Sequence, residues 1–342
     1  MAATPAPRGR RAAALRLPSS PPRQPPMTPQ LDDTGRLRHL LTLEGLPRGT
    51  LVDLLDRAQG FTHDGDHRAT LAGTAVCTLF FEPSTRTRLS FQRAAQRLGA
   101  DVLGFDASTS STTKGETALD TLKNIEAMGV RGFVVRHHED GAAAALAAAV
   151  APGTAVLNAG DGRRAHPTQG LLDMLTLRQA KGADFGRLKV LVVGDVRHSR
   201  VARSDLQALR TLGGDGIEIR VCGPRALLPD DGTLAGCTVG HDLDAALEGV
   251  DAVMMLRLQR ERMAEGLVDS LEAYHAAYGL TSARLRRAAP DAVVLHPGPM
   301  NRGVEIDDEV ADGPQSLVLR QVANGVAVRM AVLDALLGPR AA

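Results

Sequence analysis

Residues 74–91 read TAVCTLFFEPSTRTRLSF, an apolar run followed by a polar junction and a helical pattern. Its apolar first part predicts a buried strand at 74–80, and the pattern after it predicts a helix from about Thr85 to Leu98. The junction holds three hydroxyl residues and an arginine: Ser84, Thr85, Arg86 and Thr87. Free N–H groups at a helix N-terminus, hydroxyls and a guanidinium all suit a phosphate. The junction therefore predicts a phosphate cradle, with a serine N-cap followed by solvated arginines as the plainer alternative.

The alternation of short apolar runs with helical patterns continues along the whole chain. Further strands are predicted at 101–105, 132–137, 154–159, 188–195, 216–223, 251–256 and 291–298. Such alternation predicts parallel sheets with helices on both faces. We expect an α/β fold of two doubly wound parallel-sheet domains, with a C-terminal helix that returns to the first. The predicted units are a disordered Pro- and Arg-rich tail, two domains and the last helix: 1–34, 35–182, 183–316 and 317–342.

Composition excludes several classes of function. The formal net charge is +1, aromatic residues make up 3% and Trp is absent, so neither a basic field nor a base-stacking platform for nucleic acid is expected. Cys77, Cys222 and Cys237 form no CxxC pair, which favours reduced thiols of a cytoplasmic protein over a disulfide framework or a zinc site. No apolar run reaches membrane-spanning length. The stretch RGRRAAALRL faintly resembles an export signal, but Arg16 interrupts it, and we expect Met27 to be the true start.

Polar side chains concentrate directly after the predicted strands. In open parallel sheets ligands bind at the carboxyl ends of the strands, so these segments are the candidate site. The segments are STRTR, STSSTTKGET, RHHED, NAGDGRRAHPTQ, GDVRHSR, RLQRER and HPGPMNRGVEID. The repeated position of polar segments at strand ends is stronger evidence for a binding site than any single motif.

The motifs FEPSTRTRLSF, KGET, RH, NAGDGxxxHPTQ and HPGPxNRGVEID together resemble the catalytic chains of the aspartate carbamoyltransferase family, from about residue 37 to 337. The resemblance implies transfer of a carbamoyl group from carbamoyl phosphate to L-aspartate, without a metal or an organic cofactor. It implies a first domain that binds carbamoyl phosphate and a second that binds aspartate. It also implies a homotrimer with sites between subunits, and leaves open an association with a regulatory or a dihydroorotase-like chain.

The same resemblance implies a set of site residues. Those for carbamoyl phosphate are Ser84, Thr85, Arg86, Thr87, Arg136, His166, Gln169, Pro297, Gly298 and Pro299, and of these Arg86, Thr87, Arg136 and His166 are expected to be catalytic. Those for L-aspartate are Lys114, Arg200, Arg257 and Gln259. Ser110 and Lys114 are expected to reach the neighbouring subunit's site. Gly298 stands where the family often has Leu, and a neighbouring arginine is expected to keep His166 neutral.

Three alternatives compete with this interpretation. An ornithine carbamoyltransferase shares the phosphate half, but it should carry an SMG-like stretch and HCLP where this chain has HPGP. A dinucleotide-binding oxidoreductase is suggested by VLVVGD, yet the GxGxxG motif is absent. An inactive scaffold homologue would be expected to lack some of the polar residues, whereas every polar position of the motifs is filled.

Overall fold

The computed structural model describes residues 30–63, 65–106, 115–258 and 266–339. Within these ranges one parallel sheet is built from β1 (Ala75–Phe80), β2 (Asp101–Asp106), β3 (Gly132–His137) and β4 (Ala155–Asp161). Its strands lie side by side in the order β2-β1-β3-β4. In register, Val76 of β1 lies between Val102 and Gly132.

The second parallel sheet is built from β5 (Lys189–Val193), β6 (Glu218–Cys222), β7 (Thr238–Gly240), β8 (Ala252–Met255) and β9 (Val293–Leu295). Its order is β7-β6-β5-β8-β9. The prediction of an α/β fold with two doubly wound parallel sheets is confirmed. The last strand is shorter than the predicted run 291–298, because the N–H of Ala292 donates to Ala289 in a turn and the N–H of His296 donates to the Gln321 side chain.

Helices provide most of the crossover connections that parallel strands need. Those of the first half are α1 (Arg48–Phe61), α2 (Thr85–Arg97), α3 (Ala118–Ala127), α4 (Ala142–Ala147) and α5 (Pro167–Lys181). Those of the second half are α6 (Arg200–Gly213), α7 (Leu243–Leu247), α8 (Leu271–Tyr278), α9 (Ser282–Leu285) and α10 (Asp308–Ala311), followed by α11 (Val318–Leu337). No helix among the described residues combines the length and the apolar character that a membrane span needs.

Helix α5 is the centre of the packing. Every residue from Pro167 to Leu177 is buried, and α5 packs against α1, α6 and α11. A Cβ at Gly170 would lie 3.1 Å from the carbonyl oxygen of Ser204, so the glycine allows α5 and α6 to approach closely. The last helix, α11, packs on α1, α2 and α5. One apolar cluster therefore runs from the first sheet through these helices to β5 and β8.

Each sheet has a switch point, where the connections from two adjacent strands run toward opposite edges of the sheet. In the first sheet this point lies between β1 and β3, and in the second between β5 and β8. Crevices at such points, outside the carboxyl ends of the strands, are where open α/β sheets bind ligands. Arg136 is the last residue but one of β3, and Arg86, Arg200 and Arg257 follow β1, β5 and β8.

Candidate active site

A cleft of about 1020 Å³ lies at the carboxyl ends of strands from both sheets. The predicted site residues that line it are Ser84, Thr85, Arg86, Thr87, Arg136, His166, Gln169, Arg200, Arg257, Pro297, Gly298 and Pro299. Ser110, Lys114 and Gln259 lie outside the described residues. Strand ends that are far apart in the chain thus contribute to one cleft.

The N-terminus of α2 supplies one wall of the cleft. Ser84 is its N-cap residue, with an extended backbone and no capping hydrogen bond from its side chain. Ser90 Oγ donates to the carbonyl oxygens of Arg86 and Thr87, at 2.6 and 3.0 Å, and so supports the first turn. That turn contains no acidic residue, so its own side chains do not offset the partial positive charge of the helix end. The wall can therefore bind an anion.

The two arginines of the STRTR segment lie in different surroundings. Arg86 lines the cleft, whereas the guanidinium of Arg88 lies over the ring of Phe80, 5.7 Å from its centroid. Burial, and then the charge of Arg257, lowers the pKa of Arg86. Its guanidinium lies against Gly298, where the φ angle is +62° and a Cβ would overlap it. The residue that departs from the family pattern thus makes room for Arg86.

Glu82 is a member of the site that the sequence analysis missed. Its Oε1 accepts hydrogen bonds from Arg136 Nη2 and Arg200 Nη2, both at 2.7 Å, and its Oε2 accepts one from Arg200 Nη1 at 3.2 Å. Burial opposes ionisation, but the hydrogen bonds and charges of the two arginines lower the pKa of Glu82. Burial and then Arg200 lower the pKa of Arg136 to about 10. One carboxylate therefore already bridges the two arginines in this cleft.

His166 stands at the N-cap of α5, immediately before Pro167. Its backbone N–H donates to Ser204 Oγ at 2.9 Å, which ties it to α6. Its side-chain Nδ1 is buried and has no hydrogen-bond partner among the described residues. Burial lowers the pKa of His166 well below its usual range, and the charges of Arg136 and Arg200 lower it further. The ring is therefore neutral, but burial contributes more to the lowered pKa than the neighbouring arginines do.

Gln169 follows His166 by one helical turn and lines the same cleft. Its Nε2 donates to both oxygens of Asp173, at 3.1 and 3.2 Å. This bond fixes the orientation of the amide and leaves Oε1 as the atom that can accept from a ligand. The carbonyl-bearing loop that holds Pro297 and Gly298 lies on the same cleft.

The second-sheet side of the cleft carries Arg257, Asp195 and His198. Arg257 is exposed, and His198 Nδ1 lies 2.8 Å from Asp195 Oδ1. Arg203, on the helix that follows, pairs with Asp231 at 2.8 Å and is not among the residues of the cleft. Within the ranges that the structure describes, no group of three His, Cys, Asp or Glu is placed to hold a metal ion.

A helix N-terminus, several arginines and a neutral histidine at the switch points of two parallel sheets define an α/β enzyme that binds anionic substrates. Comparison with known families is more specific. Residues 38–179 match the model for the carbamoyl phosphate-binding domain of aspartate/ornithine carbamoyltransferases, and residues 187–336 match that for the Asp/Orn-binding domain. The chain belongs to the aspartate/ornithine carbamoyltransferase family.

Individual relatives agree with this family. The chain is 76% identical over 315 residues to the aspartate carbamoyltransferase catalytic subunit of Stenotrophomonas maltophilia (strain R551-3), covering 90% of this chain and 99% of that protein. Aspartate transcarbamoylase from Trypanosoma cruzi, solved with carbamoyl aspartate and phosphate, is 29% identical with a TM-score of 0.78, covering 90% and 98%. Ornithine carbamoyltransferase from Thermus thermophilus is 30% identical with a TM-score of 0.76, covering 88% and 99%.

Proposed function

We propose that this chain transfers the carbamoyl group of carbamoyl phosphate to the amine of L-aspartate, which yields N-carbamoyl-L-aspartate and phosphate. The observation that carries the proposal is the cleft itself. It joins a phosphate-binding helix N-terminus to arginines from the second sheet, as a reaction between a phosphate and a dicarboxylate requires. The 76% identical relative is named as an aspartate carbamoyltransferase catalytic subunit, which supports aspartate rather than ornithine as the second substrate.

The phosphate of the first substrate binds at the start of α2. Backbone N–H groups and the hydroxyls of Ser84, Thr85 and Thr87 donate to its oxygens, and Arg86 adds a charge-assisted fork. The same donors stabilise the phosphate as it leaves with the electron pair of the broken C–O bond. Arg257 lies near enough to Arg86 to lower its pKa, so positive charge is concentrated where the phosphate binds.

The carbamoyl group lies between α5 and the loop after β9. Negative charge develops on its oxygen as the amine adds to the carbon, and in this proposal Thr87, Arg136 and the neutral His166 donate to it. Gln169 Oε1 and the carbonyl oxygens of Pro297 and Gly298 accept from its NH2 group. Pro299 fixes the direction of that loop.

The carboxylates of aspartate bind Arg200 and Arg257. The bridge from Glu82 to Arg136 and Arg200, with bonds of 2.7 Å, is an internal example of a carboxylate held at this place. The amine must arrive deprotonated to form the new C–N bond. One further proton then leaves the nitrogen as the C–O bond to phosphate breaks, and the departing phosphate, with a second pKa of about 6, can accept it.

The rest of the assembly belongs to the same proposal. Residues 35–182 form the carbamoyl phosphate-binding domain and 183–316 the aspartate-binding domain, with 317–342 returning to the first. The protein is a cytoplasmic homotrimer in which Ser110 and Lys114 serve the neighbouring site, while Gln259 contacts aspartate in its own. The product is an early intermediate of pyrimidine synthesis.

Product identification tests the proposal. The purified protein is given labelled carbamoyl phosphate with either L-aspartate or L-ornithine, and the products are separated by chromatography. We expect carbamoyl-aspartate from the first mixture and no citrulline from the second. Citrulline as the main product would establish the ornithine alternative, which the family models include. The formation of neither product would contradict both alternatives.

A further inference from the structure

A buried polar cluster lies directly behind Gln169 and links three helices. We call it the Asp173 cluster, and its members are Asp173 of α5, Asp205 of α6 and Gln321 of α11. Their exposed fractions are 1%, 1% and 3%, respectively. Burying a polar group costs free energy unless the group is hydrogen-bonded. The hydrogen bonds within this cluster therefore indicate its role.

Asp173 orients two amide side chains at once. It accepts from Gln169 Nε2 at 3.1 and 3.2 Å and from Gln321 Nε2 at 2.7 Å. A carboxylate only accepts hydrogen bonds, so both amides must turn their NH2 groups toward it. Their oxygens are therefore directed elsewhere, and in Gln169 this leaves an acceptor for the cleft.

Gln321 transmits this orientation to the loop after β9. Its Oε1 accepts from the backbone N–H of His296 at 2.9 Å. His296 Nδ1 in turn accepts from the N–H of Gly298 at 2.8 Å, and its Nε2 lies 3.1 Å from Glu305 Oε1. The position of the loop carbonyls thus depends on Gln321, and Gln321 is oriented by Asp173.

Asp205 keeps Asp173 an acceptor. Burial and the adjacent Asp173 carboxylate raise the pKa of Asp205 well above its usual range, so Asp205 holds a proton. Burial also raises the pKa of Asp173, to about 6, but hydrogen bonds from Gln321, Gln169 and Asp205 favour its ionised form. One proton shared by two buried carboxyls therefore resides mainly on Asp205.

We propose that Asp173 is a positioning residue that holds Gln169 Oε1 and the Pro297–Gly298 carbonyls as a set of acceptors selective for the NH2 of the carbamoyl group. The inference rests on the proposed function. It adds that recognition of a carbamoyl over an acetyl group is decided by a carboxylate that does not itself touch the substrate.

The test compares two ligands that differ only at the group in question. Phosphonoacetamide carries NH2 where acetonylphosphonate carries CH3, and calorimetry on the full-length protein gives the affinity for each. Wild type should prefer the amide. Asp173→Leu keeps the shape of the side chain but removes every acceptor, so neither glutamine is held with its NH2 group turned toward position 173. The preference should fall about tenfold, as expected for one lost hydrogen bond, while acetonylphosphonate binds as before.

Two further variants keep the test decisive. Asp205→Asn keeps a neutral donor beside Asp173, so it should retain the preference. Gln321→Met keeps the volume but breaks the link to the loop, so it should lose part of the preference. It still tests the inference if Asp173→Leu does not fold.

A folded Asp173→Leu protein with the wild-type preference would overturn the inference, as would an unchanged preference in Gln321→Met. A general structural role would weaken both ligands equally, and that result would also overturn it. Wild type that bound neither phosphonate would contradict the proposed function instead.

Discussion

At the scale of single residues, two arginines in one helical turn have separate tasks. Arg86 faces the cleft and Arg88 covers Phe80, although both stand in the same motif. Helical geometry explains this, because residues two apart lie on different faces of a helix. The sequence could predict a phosphate site in this turn. It could not predict which of the two arginines faces that site, because this depends on the face of α2 that packs on β1.

This difference gives a matched pair of substitutions. Arg86→Ala removes a charge-assisted donor to the leaving phosphate and should cost about 3 kcal/mol in kcat/KM, as for a lost oxyanion donor. Arg88→Ala removes a similar charge outside the cleft and should leave kcat/KM close to wild type. Steady-state kinetics on both proteins checks the prediction. Equal losses in the two variants would mean that the motif acts only through general charge.

A second residue-scale prediction concerns Gly298. In Gly298→Ala the new Cβ overlaps the Arg86 guanidinium and is strained at a φ of +62°. Arg86 must move, so the KM for carbamoyl phosphate should rise more than tenfold, roughly the value of one charge-assisted hydrogen bond. A crystal structure of the variant should show Arg86 displaced. An unchanged KM would show that the Arg86 side chain is not held by this contact.

Site residues that act through distant partners could not be predicted. Glu82 lies inside the quoted motif, but its bond to Arg200 joins positions 118 residues apart. Asp173 reads as an ordinary polar helix position, and its bond to Gln321 spans 148 residues. Only the packing of α5 against α6 and α11 brings these groups together. By contrast, Ser84 and Arg86 were predicted because local spacing places them at a helix N-terminus, and His166 because its motif resembles that of the family.

At the scale of elements, helix α5 combines full burial with polar side chains. The shared proton of Asp173 and Asp205 makes the junction of α5 with α6 sensitive to pH. In the unfolded chain Asp205 loses its proton above the ordinary pKa of 3.8. In the native protein its pKa is raised, so the proton stays bound to a higher pH. Stability therefore falls as the pH rises from 3.8 toward the native pKa of Asp205.

Asp205→Asn should remove this dependence, because the amide does not titrate. The free energy of unfolding of the variant, minus that of wild type, should increase with pH above 3.8 by up to about 1.4 kcal/mol for each pH unit. Urea unfolding at a series of pH values and a fixed protein concentration measures both. Parallel pH profiles of the two proteins would show that Asp205 is ionised in the native state.

At the scale of the whole molecule, the two switch points explain why the cleft joins two substrates. The pattern of strands and helices predicted both sheets, because the alternation of buried runs with helices repeats in each half. The predicted return of the last helix to the first half is also seen, in the packing of α11 on α1, α2 and α5. The pattern could not predict the close contact of α5 with α6 at Gly170, which also joins the two halves.

The proposed trimer leads to a test by subunit mixing. Lys114→Ala and Arg257→Ala should each be nearly inactive, since each proposed site takes Lys114 from one chain and Arg257 from another. After the two variants are dissociated and reassociated together, some interfaces pair two wild-type residues, so activity should return in part. Native mass spectrometry confirms the exchange. Hybrids no more active than their parents would place Lys114 in its own chain's site or in none.

The central claim is that one cleft binds the phosphate of the first substrate and the carboxylates of the second at the same time. The bisubstrate compound N-(phosphonacetyl)-L-aspartate, present in a solved Trypanosoma cruzi relative, tests it directly. Calorimetry should give one site per chain in wild type. Arg86→Ala and Arg257→Ala should each weaken binding by at least tenfold, about the value of one charge-assisted contact, and Arg88→Ala should not. Unchanged affinity in either of the first two variants would contradict the claim.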